Sequence, residues 1–158
     1  MLILGFVGSV LPVSVPLAFV DVRVFAHATE DADRVLAAVR NLLPAEFVDV
    51  VSFRKSVLHG HYGNPIVLFE VRVKDRKVVG AVFERLCSGL GVFDKDVLAG
   101  EVMQRVDDGN LFVRLDKQSA FLGEFKLGVV DVVHLRFHFR KHRPEDVVDV
   151  CRKFGLLP

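Results

Sequence analysis

One stretch near the C-terminal end constrains the fold more than any other. Between Asp131 and Arg140, Val133, Leu135, Phe137 and Phe139 are apolar, and His134, Arg136, His138 and Arg140 alternate with them. Successive side chains on a strand point to opposite faces, so this stretch predicts a β-strand with one apolar face and one basic or titratable face. A sheet holding such a strand must bury one side and hydrate the other. The expected fold is therefore α+β: a single mixed or antiparallel sheet with helices packed on one face.

The rest of the chain agrees with that frame. Val20, Val22, Val24 and Ala26 alternate with Asp21, Arg23, Phe25 and His27, and Val67, Phe69, Val71 and Val73 alternate with Glu70, Arg72 and Lys74. Both read as half-buried strands, as does Leu111 to Asp116, and a further strand is expected from about Phe47 to Arg54. Helical spacing appears in Ala32, Val35, Leu36, Val39 and Leu42, with Thr29 as N-cap and Pro44 as the stop. It recurs in Val78, Val79, Val82, Phe83, Leu86 and Cys87 after Asp75, and in Val147, Val148, Cys151 and Phe154 after Pro144. A shorter helix is expected from Asp96 to Val106, and one or two helical turns from Lys117 to Leu122. Asp107-Asp108-Gly109-Asn110 reads as a turn.

At 158 residues, with 51% hydrophobic side chains, the chain has the size and apolar content of one domain and no sign of disorder. Twenty-one Lys and Arg against 20 Asp and Glu leave +1, which removes any global attraction to polyanions. Binding to nucleic acid therefore requires local clustering of charge. Two cysteines do not make a disulfide scaffold, and a cytoplasmic location fits them. Residues 1–19 carry no charge, but Pro12 and Pro16 interrupt them and no positive start precedes them. They are expected to be an apolar arm or strand rather than an export signal or membrane anchor, ahead of one domain over residues 20–158.

Motifs with dedicated chemistry are few. His59-Gly60-His61 suggests metal ligation, but no third ligand follows at a diagnostic spacing, so neither a metal nor another cofactor is expected. No phosphate loop, dinucleotide fingerprint or nucleophile elbow occurs, and no catalytic residue is assigned. What stands out is an arginine on the polar side of four strands: Arg23, Arg72, Arg114 and Arg136. A guanidinium donates two parallel hydrogen bonds to a phosphate, so a row of them suits a sugar-phosphate backbone. The plainer reading is a solvated sheet face on which Asp21, Glu70 and Asp116 pair with the same arginines. From His134 to Arg143 seven of ten residues are basic or titratable, with no acid among them.

Three segments together carry a family resemblance: His27-Ala28-Thr29-Glu30-Asp31, Gly60-His61-Tyr62-Gly63-Asn64-Pro65-Ile66, and Arg114-Leu115-Asp116-Lys117-Gln118-Ser119-Ala120-Phe121-Leu122-Gly123. Across about residues 20 to 140 the chain resembles the archaeal RNA-binding family predicted to be associated with the exosome. The resemblance implies a fold like that of the ribosomal protein that contacts 5S rRNA, also described for this family as double-stranded-RNA-binding-domain-like. It also implies a non-catalytic role with structured RNA, with exosome subunits or ribosome and RNA-processing assemblies as partners, and no membrane. The candidate RNA-binding residues are His61, Asn64, Arg72, Arg114, Lys117, Gln118, His134, Arg136, His138 and Arg140. The alternative is a protein-interaction or dimerisation subunit that docks through its apolar N-terminus or a sheet edge, as a homodimer or on a partner.

Overall fold

The structure, a computed structural model, describes residues 15–158. The chain forms β1 (Leu17–Ala26), α1 (Ala32–Arg40), a 3-10 helix (Ala45–Val50), β2 (Arg54–His59), β3 (Pro65–Val73), α2 (Arg76–Gly89) and α3 (Val92–Arg105). There follow β4 (Val106–Asp107), β5 (Asn110–Asp116), the short α4 (Lys117–Ala120), β6 (Val132–Phe139) and α5 (Pro144–Lys153). The six strands make one antiparallel sheet in the order β2-β3-β1-β6-β5-β4. The first and last strands are thus the central pair.

Alternation decides which face is buried. Val20, Val22 and Val24 of β1 lie beside Val133, Leu135, Phe137 and Phe139 of β6 and Leu111, Val113 and Leu115 of β5 in the core. Phe83 of α2 meets Phe137, Phe139 and Phe154 edge-on, at centroid distances of 5.3, 5.8 and 6.1 Å. Edge-to-face geometry places the positive ring edge on the negative ring face. Burial of each such side chain stabilises the fold by about 1.5 to 3 kcal/mol.

Near its start β1 changes register against β6: Leu17 pairs with Phe139 and Phe19 with His138, leaving Ala18 unpaired. This bulge puts Leu17 in the core and turns Phe19 to the opposite face, where its ring stacks on His138 at 4.8 Å. The strand therefore begins inside the segment expected to be an apolar arm or strand. Residues 1–14 of that segment lie outside the described residues.

Several expected boundaries move. The strand expected from Phe47 to Arg54 is instead a 3-10 helix followed by β2, because after Pro44 the chain packs Phe47 and Val48 on the core in a tight turn. Asp31, not Thr29, caps α1, accepting from the Asp33 and Arg34 amides. The helix expected from Asp96 starts at Val92, leaving Val92 and Phe93 exposed. Asp75 caps α2 as expected, accepting from Lys77 and Val78 amides. The turn after β4 uses positive φ at Asp108 and Gly109. At Gly128 a Cβ would lie 2.8 Å from Asp116 Cα, so only glycine lets that loop lie against the end of β5.

Candidate functional site

The hydrated face of the sheet is concave. Side chains from β2, β3, β1, β6 and β5 floor an open trough of about 960 Å³, with Ser52 at one end and Gln104 and Arg105 of α3 at the other. Six arginines line it, Arg23, Arg54, Arg72, Arg105, Arg114 and Arg136, together with His134. Two carboxylates, Asp21 and Glu70, face them. A nearly neutral chain thus concentrates positive charge on one surface.

The strand register sorts these groups into two transverse rows. One runs Arg54, Glu70, Arg23, His134, Arg114, each opposite the next on the neighbouring strand. The other runs Arg72, Asp21, Arg136, Phe112. Opposite residues of antiparallel strands point the same way with Cβ atoms about 4.5 to 5.5 Å apart, so each row forms a line of adjacent side chains.

The second row is tied together by one carboxylate. Asp21 Oδ1 accepts from Arg72 Nε at 2.8 Å, and Asp21 Oδ2 accepts from Arg72 Nη2 at 3.0 Å and from Arg136 Nη2 at 2.6 Å. Burial raises the Asp21 pKa, but the hydrogen bonds and charges of Arg72 and Arg136 outweigh it, and the carboxyl titrates below its ordinary value. The same hydrogen bonds raise Arg72 further above its ordinary range. Phe19 lies beneath this group, with the Arg72 guanidinium 4.0 Å and that of Arg136 5.7 Å from its centroid. These arginines are fixed in place and half neutralised.

The first row differs. Arg54 pairs with Glu70, but among the described residues neither Arg23 nor Arg114 has an ion pair. The Nε of Arg114 is shut away from solvent without a hydrogen-bond partner. His134 lies between the two. Burial and then the charges of Arg23 and Arg114 lower its pKa, because each disfavours the imidazolium.

The ten candidate residues separate accordingly. Arg72, Arg114, His134 and Arg136 converge in the trough. His138 is on the same face one row further along, its Nδ1 donating to Asn110 Oδ1 at 2.8 Å. Arg140 is exposed just beyond the end of β6. His61 and Asn64 are exposed in the β2–β3 turn, where Gly60 N donates to Asn64 O at 2.7 Å. Gln118 is exposed beside Thr29, Arg34 and Phe121, away from the trough.

Lys117 requires a correction. Expected as a phosphate contact, it is the one buried charged residue among those described, fully withdrawn from solvent. Its Nζ donates to Phe25 O at 2.9 Å and to Glu30 Oε1 at 2.8 Å, and it forms a second ion pair with Asp131 Oδ1 at 2.9 Å. Two hydrogen bonds and two carboxylates compensate the buried ammonium, so Lys117 is a structural cross-link. Burial raises the Glu30 pKa, but the Lys117 hydrogen bond, the His27 amide and the nearby charges bring it below its ordinary value.

Three lining arginines are absent from the candidate set, the first being Arg23, although alternation alone puts it on the polar side of β1. Arg54 was hidden by the misplaced second strand. Arg105 stands four residues after Glu101, to which its Nη2 donates at 3.0 Å; the helix is expected from sequence, but its place against the rim of the trough depends on contacts between distant segments. Among the described residues no three His, Cys, Asp or Glu side chains gather as a metal site, and no helix is long and apolar enough to cross a membrane.

Known proteins share this architecture. A family model described as RNA binding matches residues 19–139. An RNA-binding protein of Pyrococcus abyssi is 33% identical over 138 residues, covering 84% of this chain and 90% of the relative. A crystal structure of a DUF54 protein from Archaeoglobus fulgidus superposes with a TM-score of 0.74 at 28% identity, covering 87% of this chain and 99% of that one. A DUF54 protein from Methanothermobacter thermautotrophicus gives 0.72 at 27% identity, with 88% and 98% covered.

Proposed function

Because the chain belongs to the RNA-binding family whose model spans residues 19–139, we propose that its arginine-lined trough is the surface that holds RNA, without catalysis. The observation that carries this reading is the pair of cationic rows on one sheet face, one of which keeps Arg23 and Arg114 free of carboxylates. Guanidinium groups at strand spacing match successive phosphate oxygens, and the concave floor brings several within reach of one backbone. Contacts of this kind set affinity and position rather than sequence choice. Structured RNA, whose regular backbone presents phosphates at fixed spacing, is the substrate class.

Salt titration of binding to a fluorescent RNA hairpin tests the reading. Log affinity falls linearly with log salt, at roughly 0.7 to 0.9 per phosphate neutralised. Arg23→Gln combined with Arg114→Gln lowers affinity for every sequence alike and makes the slope shallower by about one to two units. A double variant with unchanged affinity and slope moves the interface off this face. The finer role, delivering structured RNA to the exosome or to ribosome and RNA-processing assemblies, draws its support from the motif resemblance. It predicts co-purification with exosome subunits that nuclease treatment reduces, and its absence from such assemblies counts against that role.

A further inference from the structure

Within the trough the two rows are chemically unequal. The Asp21 row already satisfies its guanidinium groups internally, whereas Arg23, His134 and Arg114 stand side by side across β1, β6 and β5 with no acid in their line until Glu70, which is held by Arg54. Resting on the RNA reading above, we propose that Arg23, His134 and Arg114 form the seat of a single RNA phosphodiester, and that filling this seat protonates His134, so the protein holds RNA more tightly as pH falls. The carboxylates near enough to protonate the histidine by attraction are committed elsewhere. On the β1 side Asp21 is bound to Arg72 and Arg136. On the β5 side Asp116 Oδ2 accepts from the Ser119 amide at 2.9 Å and its hydroxyl at 2.7 Å. Arg136 follows on the same strand, and Arg105 of α3, paired with Glu101, lines the trough beyond β5.

In the free site burial first, and then the uncompensated charges of Arg23 and Arg114, disfavour the His134 imidazolium. A phosphodiester keeps its single negative charge throughout the neutral and mildly acidic range. Seated between the two guanidinium groups, it cancels the repulsion that disfavours the imidazolium and accepts a hydrogen bond from it. The bound form takes up a proton, and by linkage that uptake strengthens binding on acidification.

The test is the dissociation constant of a fluorescein-labelled RNA hairpin at fixed ionic strength. The unsubstituted protein binds about three- to tenfold more tightly at about pH 5.5 than at about pH 7.5. His134→Gln loses that dependence, His134→Lys binds tightly at both values, and His59→Gln keeps it. In the unsubstituted protein, the His134 ring resonances, identified by their loss in His134→Gln, titrate at higher pH once RNA is added. RNA binding that is equally tight at both pH values, or a His134→Gln variant with the full pH dependence, overturns the seat while leaving the trough as an RNA surface. Failure to bind RNA at either pH overturns both.

Discussion

Lys117 Nζ and Glu30 Oε1 are 2.8 Å apart although 87 residues separate them in the chain, and the lysine is fully buried. With Asp131 and the Phe25 carbonyl, this bond joins the end of β1, the entry to α1, the start of α4 and the segment before β6. Lys117→Met keeps the apolar stem but removes two hydrogen bonds and the ion pairs with Glu30 and Asp131, and both carboxylates are partly hydrated, which limits the loss. The expected destabilisation is about 2 to 4 kcal/mol in urea unfolding, or roughly 5 to 15 °C in Tm. Affinity for RNA, measured where the variant is still folded, stays near that of the original protein. A drop in affinity larger than tenfold without unfolding would return Lys117 to the interface.

Asp21→Asn moves stability and binding in opposite directions. Loss of the carboxylate releases Arg72 and Arg136, so stability falls by about 1 to 2 kcal/mol at neutral pH. RNA affinity at low salt rises about three- to tenfold. The pH dependence has a definite sign. The Asp21 pKa is lower in the folded state than its ordinary 3.8, so its contribution is complete above that value and disappears as pH falls through the lower, folded one. Acid unfolding of the asparagine variant is accordingly less steep below about pH 4. Calorimetry across acidic pH, paired with RNA titration, checks both halves.

Gly128→Ala tests the close approach of its loop to β5. The new methyl group would meet Asp116 Cα and N, at 2.8 and 2.9 Å, and backbone cannot give way as a flexible side chain can. The amide of Gly128 also donates to Arg114 O at 3.0 Å, so displacement disturbs the strand that carries Arg114. The substitution costs about 1 to 3 kcal/mol and weakens RNA binding modestly. Thermal melts and RNA titration of the same preparation detect the coupling, and a variant identical in both measurements removes it.

Cys87 and Cys151 are buried on α2 and α5, and burial pushes each thiol up to about 12. At mildly alkaline pH both are protonated and out of reach, so a thiol reagent modifies them at the rate of unfolding rather than at the rate of an open cysteine. Addition of urea to the transition midpoint accelerates labelling by orders of magnitude. Rapid labelling in native buffer contradicts the packing of those two helices.

Alternation made the sheet readable from sequence. β1, β3, β5 and β6 each expose one consistent face, so Val22, Phe69, Val113 and Leu135 declared themselves as core and Arg23, Arg72, Arg114 and Arg136 as their opposites. Strand order and register were not readable, because pairing depends on contacts between distant segments. For that reason the division of the arginines into an Asp21-bound row and a free row emerges only from the folded chain. Lys117 was misread for a related cause. A lysine at a strand-to-helix junction resembles a surface cation until Glu30 and Asp131 arrive from elsewhere to enclose it. Phe47 to Arg54 misled because β-branched and aromatic residues there serve a tight turn and not a strand.

The pairing of β1 with β6 links Asp21 to Arg136, 115 residues further along. Synthesis must therefore run past β6 before the arginine-lined surface can exist at all. Products that stop before β6 lack the central partner of their first strand and cannot align Arg136 or His134 with Asp21 and Arg23. The trough proposed to hold RNA thus takes shape only once β6 has joined β1, a dependence imposed by chain order alone.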